Sequence, residues 1–280
     1  MDWLTEDTTL AAGAALALAL GTVSAALQLL KSGATEERSG GTERARWFLG
    51  SGGYLLLLAL AARGLAVGGW PFARRYDVLL LTVAALALFY ALGIRGPGST
   101  WAGVCAGLIA TPTLVLTLLL TSSGVREPKP VPPLLGGIWF PIHVLATGIG
   151  YGGLALAGGT GLLQLVAGHE GPAENAFPDW EALQRQGLAW GYPWLTLGML
   201  AGAIWSWESW GWLWSWNSKE ILTLVTWGLF TLAFHTRRLS GWRGRPHAAV
   251  LTAGLVTLFL TLLVSRQVGQ RALSGIEYVF

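Results

Sequence analysis

At 280 residues, 53% of them hydrophobic and only 12% charged, the chain has no stretch that reads as a soluble domain. A net charge of +3, carried mostly by arginines between apolar runs, marks topology rather than a nucleic-acid surface, so no nucleic-acid partner is expected. Its single cysteine, Cys105, rules out an internal disulfide frame or a cysteine metal site, and no glycine-rich phosphate loop occurs.

Apolar runs predict an all-α, polytopic integral membrane protein of about eight transmembrane helices, a single membrane-embedded unit over residues 1–280. The spans are read at about 8–30, 47–68, 76–94, 101–121, 138–167, 188–206, 219–236 and 247–265, close to the roughly 20 residues that cross a bilayer. The opening MDWLTED is acidic, unlike a secretory signal, so the first span is expected to be retained. Lys31, Arg38, Arg44 and Arg46 follow the first span, and Arg237, Arg238, Arg243 and Arg245 follow the seventh. The positive-inside rule puts both groups inside, leaving both termini on the outer side of the cell membrane.

Arg63 sits within the second span, where a charge is either functional or snorkels to the interface. Arg74–Arg75 next to Tyr76–Asp77 predict a local ion pair at the start of the third span, and Pro112 predicts a kink in the fourth. The proline-rich linker 122–137 reads as a stiff external connection. In the fifth span, Pro141 suits the first helical turn and His143 shares a face with Thr147 and Tyr151. Gly148 and Gly152 form a small-xxx-small pair that admits a close neighbouring helix. The mildly acidic loop 168–187, with Glu170, Glu174, Asp179 and Glu181, reads as a connector.

The most informative stretch is WSWESWGWLWSWNSKE, residues 205–220, with Trp205, Trp207, Trp210, Trp212, Trp214 and Trp216 between two apolar spans. Indole combines a broad apolar face with one N–H donor and suits the boundary between lipid and water. So many rings around Glu208 and the Asn217–Lys219–Glu220 group suggest a flat aromatic surface for something planar, where otherwise they rest on headgroups. Asn217 and Glu220 also fit a capping box that starts the seventh span. Beyond it, Glu220, Leu224, Trp227, Thr231 and His235 share a stripe that puts an imidazole near the inner surface. An outer aromatic platform beside His143 suits haem or another planar ligand, with His143 binding iron and His235 serving as an inner station.

The run Trp210–Gly211, Trp214–Ser215–Trp216–Asn217–Ser218–Lys219–Glu220, then Trp227, His235–Thr236–Arg237 and Gly241–Trp242–Arg243–Gly244 resembles the tryptophan-rich WWD signature of the cytochrome c assembly family. That family includes CcsA/ResC-like, CcmC, CcmF and HemX-type proteins, and the resemblance is most specific over 138–265, the expected haem-handling core. It implies non-covalently bound haem b as cargo, with His143 as an axial ligand to haem iron. It further implies His235 as a transmembrane haem ligand and the tryptophans from 205 to 216 as haem contacts. It implies a CcsB/ResB-like membrane partner, membrane lipid, and apocytochrome c, whose CXXCH thiols take the haem. On that basis the chain would be a subunit of a cytochrome c synthase, not catalytic alone.

Two departures stand out. Asn217–Ser218 replace the family's aspartate and proline, so the cap is kept and a charge is lost. In Leu273–Ser274–Gly275–Ile276–Glu277–Tyr278, Glu277 stands where the family has a second outer histidine. Glu277 is therefore a candidate sixth ligand. Two alternatives remain from the residues: a HemX-like regulator of haem synthesis, and a small-molecule permease with an interfacial tryptophan belt.

Overall fold

The computed structural model describes residues 3–32, 40–72, 74–96, 98–130, 132, 137–167, 178–236 and 242–272. Every regular element among them is helical: α1 (Trp3–Ser32), α2 (Gly40–Val67), α3 (Arg75–Leu88), α4 (Ser99–Leu120), the single turn α5 (Ser123–Arg126), α6 (Trp139–Ala167), α7 (Trp180–Trp210), α8 (Ser218–Thr236) and α9 (Arg245–Ala272). A π-helical turn, Phe89–Gly93, prolongs α3. Among the described residues, α1, α2, α3 with its π turn, α4, α6 and α9 are long and apolar enough to cross a membrane. The other two long helices, α7 and α8, fall outside that group. The chain is thus an all-helical, polytopic membrane protein.

Helix α7 starts earlier and ends later than the sequence suggests. Asp179 caps it, its Oδ1 accepting from the Ala182 N–H at 2.9 Å, so residues 180–187 of the expected connector are helical. At the other end the helix runs through Trp210 and stops at Gly211, whose φ of 81° is a left-handed conformation that glycine adopts at little cost. Pro112 lies inside a continuous α4, and Pro141 lies in the first turn of α6 as expected.

Helix α6 is the central strut, packed against α3, α4, α7 and α9. Glycines make this possible, because without an apolar driving force between helices in lipid, close backbone approach supplies the attraction. A Cβ at Gly150 would lie 2.6 Å from the Leu195 nitrogen of α7, and one at Gly153 would lie 2.7 Å from Gly191. On the other face, Gly148 meets Leu81 and Gly152 meets the backbone of Leu86, so the expected small-xxx-small pair receives α3. One apolar cluster joins α1–α4 to α6, and a second joins α6 to α7, α8 and α9.

Arg63 neither snorkels nor stands alone. It is 1% exposed and donates to Asp77 Oδ1 at 2.5 Å, Asp7 Oδ2 at 2.6 Å and the Arg126 carbonyl at 2.7 Å. Its guanidinium also lies 4.8 Å from the centre of the Tyr76 ring. One side chain thereby ties α1, α2, α3 and α5 together. This replaces the expected local pair: Asp77 takes the distant Arg63 and, from Arg74, only the backbone N–H at 3.0 Å.

Candidate functional site

His143 lies in the first turns of α6, half-buried against α7. Its Nδ1 is 2.7 Å from the Gly198 carbonyl oxygen, and a carbonyl can only accept, so Nδ1 carries the proton. In the neutral ring Nε2 then holds the lone pair, and it makes no hydrogen bond among the described residues. The ring stacks on Trp205 with centroids 6.4 Å apart and planes 12° apart, and Phe140 tilts against the same indole at 5.4 Å. Gly202 makes the close approach possible: a Cβ there would lie 2.5 Å from Nδ1. Thr147, one turn along, sits 3.5 Å from Nδ1.

The tryptophan segment divides in two. Trp205, Trp207 and Trp210 ride the last turns of α7, whereas Trp212, Trp214 and Trp216 lie on the loop to α8. Trp207, Trp210, Trp212 and Trp216 are exposed, so their rings are not spent on the protein core. The surface is not uniformly flat, because Trp214 meets Trp216 edge-on at 77°. Trp214 has its indole N–H buried with no hydrogen-bond partner among the described residues. Ser206 Oγ holds the loop by donating to the Trp212 carbonyl at 2.8 Å. Trp216 turns the chain into α8 with φ of 60°, an uncommon conformation for a bulky residue.

Asn217 begins α8 as expected, its Oδ1 accepting from the Glu220 N–H at 2.9 Å. The reciprocal half of the capping box is different. Glu220 reaches past Asn217 and accepts from the Ser215 N–H at 2.7 Å and the Ser215 hydroxyl at 2.9 Å. These bonds fasten the tryptophan loop to the helix that follows it. Asn217→Ala is expected to cost about 1 kcal/mol and to speed amide exchange in the first turn of α8. Asn217→Asp, an equally good cap, should restore protection in the same exchange measurement. Lys219, on that turn, lies in electrostatic reach of both His143 and Arg75.

His235 stands at the far end of α8, fifteen residues or roughly 22 Å along the axis from Glu220. It is exposed, and its Nδ1–H donates to the Thr231 carbonyl at 2.8 Å, again leaving Nε2 without a hydrogen bond among the described residues. Between the two histidines, α7 and α8 are joined by a crossed clasp that sequence reasoning missed. Tyr192 OH and Thr231 Oγ1 are 2.8 Å apart, and Trp227 Nε1 donates to Thr196 Oγ1 at 3.0 Å. Tyr192 also stacks on Trp227 at 6.0 Å and on Phe234 at 5.8 Å. The structure thus brings His143, Trp205 and the charge of Lys219 together and sets His235 apart. Glu277 lies outside the described residues.

Comparison with known proteins follows the same outline. Residues 72–273 match the family described as "Cytochrome C assembly protein". The chain is 28% identical over 233 residues to the cytochrome c biogenesis protein CcsA of Chlamydomonas reinhardtii, covering 80% of this chain and 66% of that protein. It is 26% identical over 264 residues to CcsA of Synechococcus sp. (strain JA-3-3Ab), covering 73% and 77% respectively. Among solved structures, cytochrome c heme lyase CcmF aligns with a TM-score of 0.72 over 94% of this chain and 47% of that chain, at 16% identity, a likeness of fold. The chain therefore spans just under two thirds of the algal relative and about half of CcmF. With most of its length matched, from α3 through the tryptophan loop to α9, this chain belongs to the cytochrome c assembly protein family.

Proposed function

We propose that the chain handles haem for cytochrome c biogenesis, holding it at the outer membrane face and presenting it to apocytochrome c. The observation that carries this reading is the committed tautomer of His143. A hydrogen bond from Nδ1 to a backbone carbonyl orients the ring and raises the basicity of the free Nε2, the arrangement that suits an axial ligand. Non-covalently held haem b would supply the iron that this imidazole takes.

The surrounding residues fit the rest of a porphyrin. Exposed indoles at 207, 210, 212 and 216 offer apolar faces, with Trp205 behind the imidazole. The unpartnered N–H of Trp214 and the cations Lys219 and Arg75 suit propionate carboxylates. His235, with the same tautomer at the opposite end of α8, suits an inner station. In this reading both termini and the tryptophan segment face outward, and residues 138–265 form the haem-handling core of one membrane-embedded unit. Glu277 is the candidate sixth ligand. A CcsB/ResB-like partner completes the site where CXXCH thiols add to haem, so this chain acts as a subunit of the attaching enzyme.

Detergent-purified protein tests the proposal by its absorption spectrum. The wild type is expected to carry a Soret band that His143→Ala lowers at least tenfold without loss of helicity. A wild type that binds no haem, reduced or oxidised, overturns the proposal, as does a His143→Ala spectrum equal to that of the wild type.

A further inference from the structure

Tyr54 occupies an unusual place on α2. The apolar stretch of that helix runs from Thr42 to Val67, and Tyr54 stands near its middle. Its side chain is 53% exposed, and its hydroxyl makes no hydrogen bond among the described residues. Roughly 18–20 Å of helix separates it from either end, too far for a phenol to reach water by snorkelling. A hydroxyl without a partner at that depth is costly, because hydrocarbon offers none. Leu57 and Leu58 are exposed beside it, so this face is not built to hold water.

Tyr54 also belongs to a regular seam. Trp47, Ser51, Tyr54, Leu58, Ala61 and Leu65 are all exposed and follow one another at spacings of 4, 3, 4, 3 and 4 residues. That 3.5-residue period is the one by which two near-parallel helices pack side by side. Ser51 and Ala61 are small enough to let a second backbone come close. Ser51 further supplies what Tyr54 lacks. Its hydroxyl donates to the Phe48 carbonyl at 3.0 Å, which leaves the oxygen lone pairs able to accept. Helical side chains lean toward the N-terminus, so the phenol is directed over the turn that carries Ser51. The seam thus holds a donor and an acceptor one turn apart, and a face with both halves of a hydrogen bond is complementary to itself.

We infer that this face of α2 docks a second copy of the chain, the two α2 helices lying side by side about a two-fold axis along the membrane normal. Copies with the same orientation in the membrane place Ser51 and Tyr54 at matching depths. Each Tyr54 hydroxyl donates to Ser51 of the other copy, and Leu58 and Leu65 pack across the axis. Helix α2 precedes the residues matched to the family, so the seam belongs to the first two helices of this chain rather than to the shared core. The assignment stands apart from the haem reading and uses none of its residues.

Energy transfer between donor- and acceptor-labelled copies of the whole chain, progressively diluted into dioleoylphosphatidylcholine vesicles, tests it. The wild type is expected to dimerise reversibly, and Tyr54→Phe to raise the dissociation constant roughly tenfold through loss of two symmetry-related bonds. Ser51→Ala should weaken the dimer as much. The two changes together should do no more than either alone, because both remove the same bond. Disulfide cross-linking in the same vesicles locates the contact. Leu58→Cys should cross-link to its own copy, whereas Leu108→Cys, exposed on α4, should not. The native Cys105 is buried and takes no part. A wild type that is monomeric at every dilution overturns the second copy in favour of a helix from another protein. An unchanged constant in Tyr54→Phe, or losses that add in the double variant, overturns the hydrogen bond between copies. Equal cross-linking at Leu58→Cys and Leu108→Cys shows random collision and overturns the seam. Both hydroxyl deletions lie on an exposed face, and circular dichroism checks that helicity is kept.

Discussion

Arg63→Leu is expected to destabilise the protein by about 3–5 kcal/mol, because it strands two buried carboxylates in an apolar interior. Asp7 and Asp77 are 1% and 2% exposed, and both are ion-paired with this guanidinium, Asp7 also feeling the charge of Arg126. Thermal unfolding in detergent reads the loss. Arg63→Lys keeps the charge, yet an ammonium lacks the planar fork that serves Asp7, Asp77 and the Arg126 carbonyl at once, so it should recover only part of the stability. The decisive comparison is Arg63→Leu combined with Asp7→Asn and Asp77→Asn. Neutralising the carboxylates removes the stranded charges, so the triple variant should be more stable than Arg63→Leu alone. If it is no better, the cluster does not act through charge compensation.

The cluster also explains how the two parts of the chain cohere. Helices α1 and α2 precede the matched residues 72–273, whereas Asp77 lies within them. The same turn of α3 carries Arg75, whose charge is felt by Lys219 on the first turn of α8. A bolt through Arg63 therefore sets the height of α3 beside the proposed haem seat.

What could be read from the sequence was whatever depends on local periodicity. Each of the eight expected spans corresponds to a helix, because apolar length and helical spacing belong to a segment by itself. Helix α7 answers to the sixth expected span, yet its many tryptophans, tyrosine and glycines keep it outside the helices apolar enough to cross a membrane. Its early start at Asp179 was legible as a capping signal ahead of Trp180–Glu181, but the acidic composition of 168–187 concealed it. Long-range pairing was not legible. Arg74–Arg75 are the obvious partners for Asp77 by proximity in sequence, and only the packing of α2 against α3 brings Arg63 there instead. The Tyr192–Thr231 and Trp227–Thr196 clasp escaped for the same reason. At the site, the pattern gave His143 and the tryptophans, yet the feature that fixes its tautomer is a backbone carbonyl on another helix, which no residue identity announces.

That carbonyl leads to the sharpest test of the seat. Gly202→Ala is expected to weaken haem binding on the order of 10- to 100-fold, the usual cost of disturbing a group that orients a metal ligand. The added Cβ would lie 2.5 Å from His143 Nδ1 and 2.8 Å from Cε1, distances that real contacts do not allow. The ring must swing away, and in doing so it gives up the bond to Gly198 and the stack on Trp205. The change itself is small and alanine favours a helix, so helicity should be unaffected. Gly228→Ala in α8 supplies the control, because its Cβ would meet nothing within 4 Å. It should leave the Soret band unchanged and, if anything, raise the unfolding temperature. Equal haem affinity in Gly202→Ala and wild type would mean that the orientation of His143 does not matter to the ligand. The imidazole would then be a helix-packing residue, with its hydrogen bond serving α6 and α7 alone.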